Sequence, residues 1–218
     1  MSVLDTIVAL ASPVGESALA IIRVSGPKAV SLFGGITGSK AKTSYREAIY
    51  SKYVTINGLH VDSCVFVMYK KGRSPTGDEM LEITSHGSPM VIQSILEDLQ
   101  ERSCRMAEPG EFSKRAFLNG KIDLTQAEAV MDLISARSIL EIQLSISQLE
   151  GAIGQKMASL TEMLISILAE VEAYIDFPDE DLPKISENTI KCQLAKLIEE
   201  LGSLIQTNRY SALLHGGL

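Results

Sequence analysis

Apolar residues at positions 139, 142, 146, 149, 153, 157, 160, 164, 167, 171 and 174 are separated by three or four places throughout. A run of that period constrains a chain more than any other feature of this sequence. It predicts one amphipathic helix of roughly 55 Å, with Gly151 and Gly154 inside it as points of weakness or bending. The stretch from Asp176 to Pro183 carries two prolines and ends it. A second helix follows, with Ile190, Leu194, Leu197, Leu201 and Leu204 on one face. Ile142, Leu144, Ile165, Leu168 and Ile205 widen the apolar stripes beyond a single seam. Two readings suit the pattern: a hairpin of helices folded on the rest of the chain, or a bundle that takes further helices from elsewhere.

The first half has a different period. Asp5–Ala11 and Leu19–Ser25 are short and rich in β-branched residues, with Ser-Pro-Val-Gly between them, and predict two strands. Pro27 predicts a helix start reaching Phe33. Ile49–Ile56 and His60–Tyr69 predict a hairpin, because Asn57-Gly58 between them is a strong tight-turn signal. Met80–Thr84 predicts a fifth strand. Ser88 and Pro89 then predict a helix to about Glu101, with serine as its cap. Asn119-Gly120 reads as a helix stop, and Thr125-Gln-Ala-Glu128 as a capping box opening the next helix.

Charge separates the same two halves. Residues 1–118 hold 13 Lys/Arg and 12 Asp/Glu, whereas residues 119–218 hold 7 and 15. The net charge of −7 and the acidic second half disfavour strong direct binding of RNA phosphates. No run approaches the roughly 20 apolar residues of a membrane span, and Met1–Asp5 shows neither the basic nor the apolar region of a signal peptide. Cys64, Cys104 and Cys192 are odd in number and far apart. This points to a reducing compartment and inert thiols, and with His60, His86 and His215 they form no metal-ligand spacing. No metal site is therefore expected.

No Gly-x-x-x-x-Gly-Lys-Ser/Thr, Gly-x-Ser-x-Gly or His-Glu-x-x-His occurs, so the common nucleotide and hydrolase signatures are absent. Three segments carry polarity that a plain fold does not require. Arg23 interrupts Ile21-Ile22-Arg23-Val24. Glu82 interrupts Leu81-Glu82-Ile83 and leads through Ser-His-Gly to a helix N-terminus, a place that favours anions. Lys121 follows Asn119-Gly120 at the joint of the two halves. Each also has a plain reading: Arg23 on the wet side of an alternating strand, Glu82 solvated, Lys121 in a linker. Converging, a carboxylate and two cations would suit a small ligand of both polarities, such as a pterin with adjacent N–H donors and a carboxylate tail. The spacing alone does not select a pterin.

These residues resemble a known family. Asp5-Thr-Ile-Val-Ala-Leu-Ala-Ser-Pro, Ile22-Arg-Val-Ser-Gly26, Glu82-Ile-Thr-Ser-His-Gly87, the long Pro109–Ala129 segment and Ala173-Tyr-Ile-Asp-Phe-Pro-Asp-Glu180 are similar, in this order, to the MnmE (TrmE) tRNA-modification GTPases. The resemblance implies an α+β N-terminal domain over residues 1–118, similar to the folate-binding domain of aminomethyltransferases. That domain would dimerise and bind 5-formyltetrahydrofolate through the positions of Arg23, Glu82 and Lys121. Residues 119–218 would be the first part of a long-helix, all-α bundle, incomplete here. The family acts in the cytoplasm with the flavoprotein MnmG (GidA) on carbon 5 of the wobble uridine of certain tRNAs. It hydrolyses GTP with Mg²⁺ and K⁺ in a G domain inserted into the helical part. Against the family, the chain ends about where that G domain begins, so the resemblance implies a fragment with no GTPase activity of its own; no catalytic residue is assigned. It differs from the family at Gly15-Glu-Ser-Ala18, Ser74–Glu79 and Ser88. A dimerisation and MnmG-docking scaffold without folate binding is the alternative. A stand-alone aminomethyltransferase-like enzyme is a third class, but no catalytic acid stands out for it.

Overall fold

Alternation at period two builds the first unit. In β2 (Ser17–Ser25), Ala20, Ile22 and Val24 turn to one side; in β4 (His60–Tyr69), Cys64, Phe66 and Met68 do so; in β5 (Met80–Gly87), Leu81 and Ile83. All eight are fully buried. The structure is a computed structural model that describes residues 5–38, 44–176 and 187–216. With β1 (Ile7–Leu10), β3 (Ile49–Val54) and β6 (Arg105–Met106), these strands form one mixed sheet in the order β3-β4-β5-β2-β1-β6. Every pairing is antiparallel except that of β1 with β6. The predicted hairpin is β3–β4, turning at Asn57-Gly58.

Two helices cover the apolar face. They are α1 (Ala29–Thr37), through Leu32, Phe33 and Ile36, and α2 (Pro89–Glu101), through Ile92, Ile95 and Leu99. Phe33 meets the Phe66 ring edge-on at 5.4 Å, and Tyr53 stacks on Phe66 at 6.4 Å. Helix α1 begins at Ala29, two residues after Pro27, and runs past Phe33 to Thr37. Ser88 caps α2 by position, but its side chain makes no capping hydrogen bond.

The buried carboxylate of Asp98 ties α2 to the end of β3. It accepts from the Tyr53 hydroxyl (2.7 Å), the Ile56 N–H (2.7 Å) and the Arg102 Nε (2.8 Å). A buried charge needs such a set of partners.

Helix α3 (Glu111–Leu118) follows the sheet, and α4 (Leu124–Ser135) packs on it. Asn119 ends α3 as predicted, its N–H bonded to the Arg115 carbonyl. The capping box of α4 lies two residues ahead of the predicted one. The Asp123 carboxylate accepts the Gln126 N–H, and the Gln126 side chain accepts the Asp123 N–H, both at 2.8 Å. A carboxylate is a stronger cap than the Thr125 hydroxyl, which itself donates to Asp123.

Residues 1–135 and 136–218 form two compact units. The division falls after α4. In the second unit the single long helix expected over 139–174 is two helices, α5 (Ile139–Leu149) and α6 (Ala152–Asp176). Gly151 stands between them at φ +84°, a left-handed conformation that stops a helix. A capping box of Ser138 and Glu141 opens α5. Helix α7 (Glu187–Gly216) packs on α6, and α5 also packs on α6. Leu160, Ile167 and Leu197 are buried there, but Ile139, Ile165, Leu168, Ile175, Ile198 and Ile205 are more than half exposed. The prolines at 178 and 183 and Gly217 lie outside the described residues.

Candidate functional site

The alternation that buries Ile22 and Ile83 turns Arg23 and Glu82 to the other face of the sheet. There the two stand directly opposite each other across β2 and β5. Arg23 Nη2 and Nε donate to Glu82 Oε1 at 2.7 and 3.0 Å. Tyr69, at the end of β4, donates its hydroxyl to Glu82 Oε2 at 3.0 Å. Burial, reinforced by the Glu82 charge, raises the Tyr69 pKa, so the phenol stays a neutral donor. The Arg23 guanidinium carbon lies 6.0 Å from the centroid of the Phe112 ring of α3. The Arg23 and Glu82 side chains are 32% and 19% exposed, so the pair is ordered yet open to a further partner.

Lys121 reaches the same region from the end of α3. Its N–H bonds to the Ala116 carbonyl at 2.8 Å, which fixes the turn after the helix, and its Nζ donates to the Gly72 carbonyl. Lys121 lines a cavity of about 520 Å³ with Arg46, Tyr69, Arg73 and Pro75 among its walls. Tyr69 therefore joins the parts: its hydroxyl is on Glu82 and its side chain lines the cavity beside Lys121. The structure brings all three predicted residues into one region. Arg23 stands on the open side of its alternating strand and Lys121 is exposed, as their plain readings have it, and each also has a specific partner.

The 70–79 loop that walls the cavity is clamped from below. Thr76 is buried, with its hydroxyl 2.8 Å from that of Ser25. Asn119 donates to the Thr76 carbonyl (2.8 Å) and to Asp78 (3.1 Å). Gly77 packs on Asn119 at φ +81°.

A second ionic cluster seats α3. Arg105 donates to Asp5 (2.7 Å) and to Glu111 (2.6 and 3.0 Å), and buried Arg115 to Asp5 and Glu111. The Arg105 hydrogen bonds, against the cost of burial, hold the Glu111 pKa down to about 2. This cluster positions the helix that carries Phe112 and delivers Lys121.

His86 and Asp62 form a pair at the other end of the open face, His86 Nδ1 lying 2.8 Å from Asp62 Oδ1. Burial pushes the Cys64 and Cys104 thiols up to about 12 and 11, so neither is a nucleophile near neutral pH. Cys192 is exposed. Among the described residues no three His, Cys, Asp or Glu side chains gather as metal ligands would, and no helix is long and apolar enough to cross a membrane.

Sequence comparison agrees with this architecture. The family model for the GTP-binding protein TrmE N-terminus matches residues 6–121, and that for the MnmE helical domain matches residues 124–218. The chain belongs to the MnmE (TrmE) family. Proteins named tRNA modification GTPase MnmE are similar along almost its full length. That of Opitutus terrae is 44% identical over 214 residues, covering 98% of this chain and 47% of the relative. That of Thermotoga maritima is 42% identical over 217 residues (99% and 47%), and that of Aquifex aeolicus 38% over 214 (98% and 48%). The chain thus spans about half the length of the curated MnmE relatives it matches. The two MnmE family models meet beside Lys121, ahead of the spatial division at Ser135.

Sequence reasoning missed Tyr69, Arg46, Arg73 and Phe112. A signal existed for Tyr69: alternation along β4 places it on the face of Glu82 once β4 and β5 are paired. Phe112 lies within the Pro109–Ala129 segment that carries the family resemblance. Arg46 and Arg73 had no pattern to betray them.

Proposed function

We propose that this chain forms the folate-binding and dimerising part of a tRNA-modification GTPase, with 5-formyltetrahydrofolate as its ligand. The observation that supports the reading is the Arg23–Glu82–Tyr69 cluster opening beside a cavity edged by Lys121. The residues suit both ends of the molecule. Glu82 Oε1 takes both Arg23 donors, whereas Oε2 accepts only the Tyr69 hydroxyl and so keeps a lone pair for a pterin N–H donor. Lys121 and Arg23 suit carboxylate and carbonyl oxygens. Tyr69 and Phe112 supply flat apolar walls for a ring. When bound, the folate supplies a one-carbon unit. The chain's own residues bind and orient it, and none is assigned a bond-making role.

The fold of residues 1–118 is proposed to be of the aminomethyltransferase folate-domain kind. The dimer would use the first unit, where Leu19, Ile21 and Tyr50 are exposed. On this reading the whole protein works in the cytoplasm. There it partners MnmG (GidA), modifies carbon 5 of the wobble uridine of certain tRNAs, and hydrolyses GTP with Mg²⁺ and K⁺ in a part of the protein beyond these residues.

Calorimetric titration with 5-formyltetrahydrofolate tests it, run on this chain and on Arg23→Ala, Glu82→Ala and Lys121→Ala. Micromolar binding that each substitution weakens at least tenfold is expected. One observation favours a rival, a dimerisation and MnmG-docking scaffold without ligand: both Glu82 oxygens already have intramolecular donors. Absence of binding by a folded dimer would select that rival, and a monomer at micromolar concentration in sedimentation would remove the dimer from both.

A further inference from the structure

We infer that the cavity beside Lys121 extends the folate site into a subsite for a chain of carboxylates, so that this protein favours folates bearing several γ-linked glutamates over the monoglutamate. The inference rests on the folate reading above. Its basis is a convergence of cations that the Arg23–Glu82 pair does not need.

Arg46, Arg73 and Lys121 all line the cavity, and among the described residues no acidic side chain does. Two of them are tied to consecutive carbonyls. Arg46 Nη2 donates to the Arg73 carbonyl at 3.0 Å, and Lys121 Nζ to the Gly72 carbonyl. Each therefore keeps most of its N–H donors for something else. Lys70, one residue from Tyr69, lies over the Tyr45 ring at 4.6 Å and adds a further positive charge beside the cluster.

The framework is built to hold them. Arg46 has φ +62°, a left-handed conformation uncommon for a residue with a side chain. Its N–H is bonded to the Met68 carbonyl at 2.9 Å, and Tyr45 bridges to Met68, so the strained turn is fixed to the end of β4. Strain of this kind persists where the surroundings enforce it, and it gathers at binding sites. The loop carrying Arg73 is closed by Gly72 N–H to Gly77 carbonyl (2.7 Å) and Arg73 N–H to Lys70 carbonyl (3.0 Å), above the buried Ser74 and Thr76. Cations on a closed loop lose little freedom on binding an anion.

A cluster of three cations on one cavity lining suits a ligand of repeated negative charge. Tyr69 makes the subsite continuous with Glu82, so the anionic chain and the pterin belong to one molecule. RNA phosphates are the other oligoanion, but the net charge of −7 opposes a long polyanion more than a short tail.

The experiment is calorimetric titration of this chain with 5-formyltetrahydrofolate carrying one or three glutamates, at low and high salt. The variants are Arg46→Gln/Arg73→Gln, Arg73→Gln alone, and Lys52→Gln as an exposed cation outside the cavity. Arg73 serves the loop through its backbone groups, so its single substitution keeps the test independent of folding. The triglutamate is expected to bind about fivefold to tenfold tighter, by an increment that shrinks with salt. That ratio should collapse towards one in the double variant, fall partway in Arg73→Gln and persist in Lys52→Gln. Equal affinity of the two folates for the unsubstituted chain overturns the subsite and leaves the folate reading standing. Binding of neither folate overturns both. An equal loss in Lys52→Gln, or loss of tRNA binding in the double variant without loss of the ratio, also overturns the subsite.

Discussion

The 70–79 loop depends on the contact between Gly77 and Asn119, and Gly77→Ala measures it. Gly77 sits at φ +81°, where a side chain costs about 1–2 kcal/mol. A Cβ there would also come within 2.6 Å of the Asn119 Cβ, an atom close to the backbone that cannot swing aside. Asn119 must move, and its hydrogen bonds to Thr76 and Asp78 weaken, at about 0.5–1.5 kcal/mol each. The sum is about 3 kcal/mol. Gly58→Ala separates the two parts, because Gly58 has φ +83° with open space around it and should cost the conformational part alone. Urea unfolding, read by hydrogen exchange at β2 and β5 amides, compares the two variants. Titration with 5-formyltetrahydrofolate then reads the site, since Lys121 lies two residues from Asn119. Gly77→Ala should lose affinity and Gly58→Ala should not. If Gly77→Ala costs no more stability than Gly58→Ala, the clamp reasoning is refuted.

Two further outcomes follow from the buried polar groups. Asp98→Ala should destabilise the first unit by about 3–5 kcal/mol, because it strands Arg102, Tyr53 and the Ile56 N–H; adding Tyr53→Phe should cost less than the sum, as a double-mutant cycle in urea would show. Glu111 has a folded pKa held down to about 2 against an ordinary value of 4.5, so its contribution is complete above about pH 5 and is lost as pH falls towards 2. Glu111→Gln should flatten that part of the acid-unfolding curve and lower stability at neutral pH, and an unchanged acid limb would count against the Arg105–Glu111 assignment.

The strands were legible where side chains alternate over many residues. His60–Tyr69 and the turn at Asn57-Gly58 could be read directly, and Arg23 and Glu82 stood out as charges among β-branched neighbours. Their mutual pairing was not legible, because it depends on β2 and β5 lying side by side 59 residues apart. Arg46 and Arg73 were hidden for the same reason: loops bring them together, and loops carry no period. Strand β6 has two residues, too few for any pattern. The break at Gly151 escaped because the apolar spacing runs on from 149 to 153 as though the helix were continuous. Helical period reports which face is apolar and does not report a single left-handed residue. The cap of α4 falls on Asp123 and not on Thr125, because Asp123 and Gln126 fit a second box two residues earlier and the carboxylate is the better acceptor.

The ionic cluster around α3 has a consequence for how the protein is made. Asp5, at the entry to the first strand, is held by Arg115, 110 residues later in the chain. During synthesis the opening strand can pair with β2 early, but its own edge stays unlatched until β6 and α3 have left the ribosome. Contacts of such long sequence separation form slowly. The nascent first unit therefore spends most of its elongation with one sheet edge free, the condition in which strands find wrong partners. A two-residue β6 followed at once by a charged helix is a compact way of shutting that edge as soon as the chain is long enough to reach it.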